Sequence, residues 1–252
     1  MTPPLPYIVI VGGTSTIAVH CARTWLRQRP ARLLLLGRDQ ERLEGVAADL
    51  RIRSPLSRID VLVGDLASAT SITRLVGEAT AQGTPDVVLI AQGVLPEQAA
   101  CQQDLAQAEA SLRINAISPV LFAEAWAGVM ERAGHGTLGI IGSVAGDRGR
   151  RSNYVYGAAK GLVERYAEGL QHRMAQAGAV KVVLIKPGPT DTPMTAHMVP
   201  RPPALADPAA VAEAIVQGMR RGQSVVYAPA KWRWIMCAIR WLPRAVFHRL
   251  SI

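Results

Sequence analysis

The sequence predicts a single α/β domain, a doubly wound parallel sheet with helices on both faces, followed by an amphipathic helical tail. Three observations predict it. Short β-branched or leucine-rich runs alternate with longer stretches of helical period. Hydrophobic residues make up 49% of the chain and aromatics only 5%, which suits aliphatic helices packed on a buried sheet better than an aromatic-rich β protein or a disordered chain. At 252 residues the chain is long enough to bury one full core. Residues 1–228 are therefore expected to form the domain, with 229–252 as a basic, Trp-rich extension of it.

The elements follow in order. "YIVIV" (7–11) is the first strand and runs into a helix over 16–28 through a glycine turn. Leucine-rich 32–36 forms the second strand, followed by a helix over 39–50; "IDVLV" (59–63) leads to a helix over 68–82. "DVVLIA" (86–91) is the fourth strand, with a long helical stretch over 101–132 that breaks near Pro119. "TLGIIG" (137–142) precedes a helix over 154–177, "VKVVLIK" (180–186) one over 207–221, and 224–227 closes the sheet. The proline-rich "MVPRPPALADP" (198–208) is the one long loop, placed where a substrate lid is often found.

Cys21, Cys101 and Cys237 give neither a pairing framework nor metal-ligand spacing, so a reducing, cytoplasmic setting and no metal are expected. "MTPPLPYIVIVGG" lacks the basic start of a signal peptide, and no run approaches the ~20 apolar residues of a membrane span. The formal charge is +9. From Ala214 onward no Asp or Glu occurs, and Arg220, Arg221, Lys231, Arg233, Arg240, Arg244 and Arg249 supply seven of the nine charges. Basicity confined to one end points to an anionic surface rather than to nucleic acid.

The first strand opens into "VGGTSTIA", where Gly12, Thr14, Ser15, Thr16 and Ile17 can bring backbone amides to a pyrophosphate at a helix N-terminus. The three-glycine spacing is eroded: Gly12 fits, while Thr16 and Ala18 take the other positions. After the second strand, "LLLLGRDQERL" puts Gly37 and Arg38 where an NAD site carries a carboxylate. An arginine there suits a 2′-phosphate, so NADP(H) is preferred and NAD(H) is the alternative; the bland reading pairs Arg38 with Asp39 or Glu41.

"GSVAGDRGRRSNYVYGAAK" holds the sharpest signal. Ser143 follows the fifth strand, Tyr156 comes thirteen residues later, and Lys160 lies one helical turn beyond on the same face. An ammonium beside a phenol lowers its pKa and fits it for proton transfer, while a serine hydroxyl can bond the reacting carbonyl oxygen.

With these residues the sequence resembles the short-chain dehydrogenase/reductase family over most of its length, through "GGTSTIA", Asp65 and Leu66 in "VGDLAS", Gly93 in "IAQG", Asn115 in "LRINAISP", the Ser143–Tyr156–Lys160 set and "KPGPTDT". The resemblance implies a Rossmann-type fold that interconverts ketone and alcohol. It implies that Asp65 lies beside the adenine, that Asn115 holds a water linking Lys160 to solvent, and that Lys160 binds the nicotinamide ribose. Pro187, Gly188, Thr190 and Thr192 are implied to pass the carboxamide. "IAQG" departs from the family's usual "NNAG".

Within the family, "AGDRGRRSNYVYG", "PGPTDTPMTAH", "YAPAKWRWIM" and "LPRAVFHRL" resemble reductases whose substrate is a keto-pentose joined through phosphate to a polyprenyl chain. That resemblance implies a lipid-linked ketone, with Arg148, Arg150, Arg151 and Asn153 beside the substrate phosphate and sugar. The bland reading has the loop arginines solvated or paired with Asp147. In the tail, Arg233, Arg240 and Arg244 fall on one helix side and tryptophans on the rest, which fits peripheral contact with a membrane face or an interface in a homodimer or homotetramer. A soluble-ketone or 3-oxoacyl reductase, and a nucleotide-binding regulator without turnover, are the competing functions.

Overall fold

Seven parallel strands form one sheet in the order β3-β2-β1-β4-β5-β6-β7. They are β1 (Tyr7–Val11), β2 (Arg32–Gly37), β3 (Arg58–Val63), β4 (Val87–Ile90), β5 (Gly136–Ile141), β6 (Val180–Pro187) and β7 (Val225–Ala228). The structure, a computed structural model, describes residues 4–178, 180–196 and 204–250. Strand order reverses between β1 and β4, and in such sheets the crevice beyond the strand ends at this point is where ligands bind.

Uninterrupted apolar runs form these strands because both faces of the sheet are covered. Along β1, Tyr7, Val9 and Val11 point into one core and Ile8 and Ile10 into the other; Leu34 and Leu36 of β2 join the first, Leu33 and Leu35 the second. The first core is closed by α3 (Ala69–Thr80), α6 (Ser118–Ala133) and α7 (Tyr154–Ala177), with Phe122 and Trp126 wholly buried. The second lies under α1 (Thr16–Gln28), α2 (Gln40–Arg53) and α8 (Pro208–Arg221). Asp39, Ser68 and Asp207 cap α2, α3 and α8 by accepting first-turn amides.

The long helix expected over 101–132 is instead several pieces: α4 (Gln98–Gln103), α5 (Leu105–Leu112), a π-helical turn at Arg113–Ile117, and α6. Two side chains explain the division. Asp104 accepts the Ala106 amide and so starts a new helix after α4. Pro119, which has no N–H to return to the carbonyl four residues back, stands in the first turn of α6. The π turn that results carries Asn115.

Beyond β7 the tail forms α9 (Trp232–Trp241) and α10 (Arg244–Phe247), parted at Pro243. Met236 of α9 is buried, whereas Trp234 is 72% and Trp241 84% exposed. Among the described residues no helix is long and apolar enough to cross a membrane. Of the expected lid at 198–208, residues 198–203 lie outside the described residues; Ala206 forms an isolated parallel bridge with Thr190.

Candidate active site

A cleft of about 310 Å³ opens at the reversal of strand order. Of the residues expected to bind the dinucleotide, Gly12, Thr14, Ser15, Thr16, Ile17, Arg38, Leu66, Gly93 and Thr192 line it. Gly12 has φ +80°, and a Cβ there would stand 2.6 Å from the Gln92 amide nitrogen, so the turn requires glycine. The first intrahelical bond of α1 runs from Val19 N–H to Ser15 O, which leaves the amides of Thr16, Ile17 and Ala18 without helical partners. Neither a side-chain cap nor an acidic residue occupies that turn. The erosion of the glycine pattern is accommodated: Ala18 is buried against the sheet and Thr16 stands at the cleft wall.

At the far end of β2, Arg38 and Arg42 both face the cleft. Asp39 spends its carboxylate on the Arg42 backbone amide rather than on Arg38, and among the described residues no acid pairs with either guanidinium. Arg42 was not foreseen, although its place one helical turn past Arg38 was readable. Gln92 is another addition. Its amide donates to Ser118 Oγ at 3.0 Å, while its buried Oε1 has no partner. Unpaired amides, two cations and an orphaned acceptor fit the phosphates and polar rings of a dinucleotide.

Asp65 is exposed beside this cleft and accepts the Ala67 amide at 2.9 Å. Pro187, Gly188 and Thr190, expected along the nicotinamide carboxamide, are absent from the cleft lining. Thr190 Oγ1 donates to Gly188 O, and the indole of Trp232 lies so close to Gly188 that a side chain there would overlap it.

The residues expected to handle the proton lie together near Gly93 of the cleft. Lys160 is 3% exposed and donates to Ile141 O at 3.0 Å, with its ammonium 5.8 Å from the centre of the Tyr156 ring. Burial lowers its pKa to about 8. Burial also pushes the Tyr156 phenol above its ordinary value, and a hydrogen bond with Ser143 opposes that rise. The spacing of Tyr156 and Lys160 leads one to expect a phenol lowered by the ammonium; in the folded protein burial sets the direction instead, leaving a neutral phenol able to donate a proton. Asn115 is fully buried, its Oδ1 accepting the Val94 amide at 2.9 Å and its Nδ2 donating to Ser111 Oγ at 3.1 Å.

The loop from Ser143 to Tyr156 departs most from expectation. Arg148, expected beside a substrate phosphate, is turned to the tail. Its Nη1 donates to Ile239 O and, at 2.8 Å, to Leu242 O, which satisfies carbonyls at the end of α9, and its guanidinium stacks 3.8 Å from the Phe247 ring centre. Asp147 is ion-paired with Lys186, which also bonds Glu164 Oε1 at 2.6 Å. The Lys186 and Asp147 side chains are 3% and 0% exposed. Burial works to lower the Lys186 ammonium, but the two carboxylates overcome it and leave its pKa raised. Arg150 and Arg151 line a small cavity with Phe247 and His248 of the tail, and Asn153 precedes α7.

Among the described residues no cluster of His, Cys, Asp or Glu could hold a metal. A glycine turn at a strand-order switch, with a half-buried tyrosine, a buried lysine and a serine hydroxyl beside it, defines a dinucleotide-dependent oxidoreductase.

Comparison with known proteins sharpens this class. The model of the family described as short chain dehydrogenase matches residues 6–202. An uncharacterized oxidoreductase of Streptomyces coelicolor is 32% identical over 248 residues, 97% of this chain and 96% of that protein. One from Mycobacterium tuberculosis H37Rv is 33% identical over 246 residues, 96% of each. Among solved structures, a short-chain dehydrogenase from Sphingobium yanoikuyae in complex with NADPH superposes with TM-score 0.82 at 23% identity, covering 98% of this chain and 97% of that one. One from Burkholderia cenocepacia in complex with NADP gives 0.83 at 18% identity with complete coverage, 100% of each chain. The chain belongs to the short-chain dehydrogenase/reductase family, the NAD(P)-dependent oxidoreductases that interconvert CH–OH and C=O groups.

Proposed function

We propose that the protein is an NADP(H)-dependent ketone reductase whose substrate is a polyprenyl-phosphoryl 2-keto-pentose, placing it with the decaprenylphosphoryl-2-keto-ribose reductases. The observation that carries the reading is the seating of the tail. Its inner side touches both loops of the site, Trp232 against Gly188 and α9 against Arg148, while its outer side offers exposed tryptophans and arginines. An enzyme taking a lipid-linked ketone needs such a surface beside its entrance, with indoles at the headgroup level and cations toward anionic lipid. Arg38 and Arg42, with no carboxylate at the end of β2, support NADP(H) over NAD(H). The complexes of the two solved relatives with NADPH and NADP accord with that preference.

Bound in the cleft, NADPH supplies the hydride that reduces the carbonyl carbon. Ser143 bonds the carbonyl oxygen, Tyr156 donates the proton to it, and Lys160 stabilises the phenolate left behind. Asn115 holds the Val94 backbone, and with it the floor near Lys160 through which the proton is replaced. Arg150, Arg151 and Asn153 face the substrate side; Arg148 is excluded from phosphate binding by its bonds to the tail.

A second reading keeps the chemistry and changes the partner: the exposed face of α9 also suits a second copy of the chain, in a homodimer or homotetramer reducing a soluble ketone. Sedimentation with anionic phosphatidylglycerol vesicles separates the two. The lipid reading predicts binding that falls with salt and is lost in Trp234→Ala/Trp241→Ala, with the oligomeric state unchanged. Dissociation of an oligomer by that variant, with no vesicle binding in the parent, supports the second reading.

A further inference from the structure

Seven buried side-chain nitrogen or oxygen atoms lack a hydrogen-bond partner among the described residues. Their placement is uneven. One, Gln92 Oε1, faces the nucleotide cleft. Three more, Gln98 Nε2, Arg150 Nε and Asn153 Oδ1, belong to residues tied to a single turn, the entry into α7 just ahead of Tyr156. Gln98 Oε1 accepts the Val155 amide at 3.1 Å, and the Asn153 amide donates to Arg150 O at 3.2 Å. Buried polar atoms are seldom left unpaired, and a group of them beside reacting residues marks a place that a ligand completes.

The segment carrying Gln98 is fastened at both ends to the site. At one end the Val94 amide is held by Asn115, next to Lys160; at the other Gln98 reaches α7 one residue before Tyr156. Residues 94–98 thus run along the wall between the proton-handling pair and the loop that follows Ser143. Gln98 is only 9% exposed, so its free donor faces neither bulk water nor a protein acceptor. Asn153 stands two residues before Val155 in the chain; it makes no capping bond to α7, and its buried Oδ1 is a free acceptor.

We infer that Gln98 and Asn153 form a subsite for a hydroxyl group borne by the ketone substrate. The Gln98 amide donates to the hydroxyl oxygen, and the hydroxyl proton goes to Asn153 Oδ1; Arg150 Nε supplies a further donor at its edge. A hydroxyl donates and accepts at one atom and so satisfies both partners, which a plain aliphatic or acyl chain does not, and this favours a hydroxylated ketone. The inference deepens the proposed keto-pentose reading and rests on it for the reaction, but it is independent of the lipid.

Gln98→Glu isolates the claim. It keeps an oxygen to accept the Val155 amide and removes the donor, so a merely structural role for Gln98 is retained; thermal melting checks that it is. kcat/KM is measured for 2-hydroxycyclopentanone and cyclopentanone, and for the polyprenyl-phosphoryl 2-keto-pentose and its 3-deoxy analogue. The wild type should prefer the hydroxylated member of a pair, and Gln98→Glu should cut that preference about tenfold, with Asn153→Leu acting in the same direction. A wild type indifferent to the hydroxyl, or a preference unchanged in Gln98→Glu, overturns the subsite. Hydroxyl preference without lipid preference upholds the subsite and removes the lipid from the proposed function; lipid preference without hydroxyl preference does the reverse. Reduction of none of the four ketones contradicts both.

Discussion

At the residue scale, Tyr156 and Lys160 show how burial sets chemistry. A phenol whose pKa is raised by desolvation is a proton donor at neutral pH, and Tyr156→Phe should keep NADPH binding while lowering turnover by about 10²–10⁴-fold or more. Fluorescence titration with NADPH beside steady-state rates checks both halves; turnover surviving in the variant would displace Tyr156 from its role. Lys160 fixes a pH dependence. With its pKa lowered to about 8, the ammonium is present below that value and lost above it. Ketone reduction should therefore decline as pH rises through about 8, and the negative charge of a bound dinucleotide moves the midpoint upward. A rate profile flat from neutrality to strongly alkaline pH contradicts this assignment. On the proposed function Arg38 and Arg42 hold the 2′-phosphate, so the double Arg38→Ala/Arg42→Ala variant should raise KM for NADPH roughly 10–100-fold and leave KM for NADH nearly constant.

At the element scale, two clamps hold the loop between Ser143 and α7. From within, Lys186 of β6 joins Asp147 of the loop to Glu164 of α7. Lys186→Met leaves two buried carboxylates with no cation between them and should cost about 3–5 kcal/mol of stability, read by denaturant unfolding. From outside, Arg148 closes the end of α9 and packs on Phe247. Arg148→Ala should loosen the tail, accelerate its proteolytic removal and lower kcat, while KM for NADPH stays near its parent value because the nucleotide turn is remote from this clamp. Much of this scale was legible in the sequence. The unbroken "YIVIV" and leucine-rich runs betrayed a sheet covered on both faces, and "GSVAGDRGRRSNYVYGAAK" exposed the catalytic spacing. What remained hidden was pairing between distant segments. Nothing local in "GDRGRR" says that Asp147 turns inward to a lysine 39 residues on, or that Arg148 turns outward to carbonyls more than 90 residues away. Gln98 stayed unread for the same reason: its meaning comes from Val155 at the entry to α7, which the fold alone brings to it. The division of the 101–132 stretch was missed because Asp104 acts as a cap only once the chain on either side is placed.

At the scale of the whole molecule, the tail explains why a chain with a near-neutral body ends in tryptophan and arginine. Its inner face, Trp232 and Met236, seats it on the body, and its contacts with Gly188 and Arg148 brace the two loops that enclose the reacting groups. Its outer face has no partner within the described chain and carries Trp234, Ile235 and Trp241 into solvent, flanked by Arg233 and Arg240. On the proposed function, an anionic lipid surface bound there would bring the loops of the site to the interface that holds a polyprenyl substrate. The most direct test is NADPH oxidation by the purified protein in detergent, with a polyprenyl-phosphoryl 2-keto-pentose and, in parallel, with the same keto-sugar lacking its lipid. The account predicts a kcat/KM at least tenfold higher for the lipid-linked ketone; equal or faster reduction of the soluble sugar would contradict it and return the tail to the subunit interface.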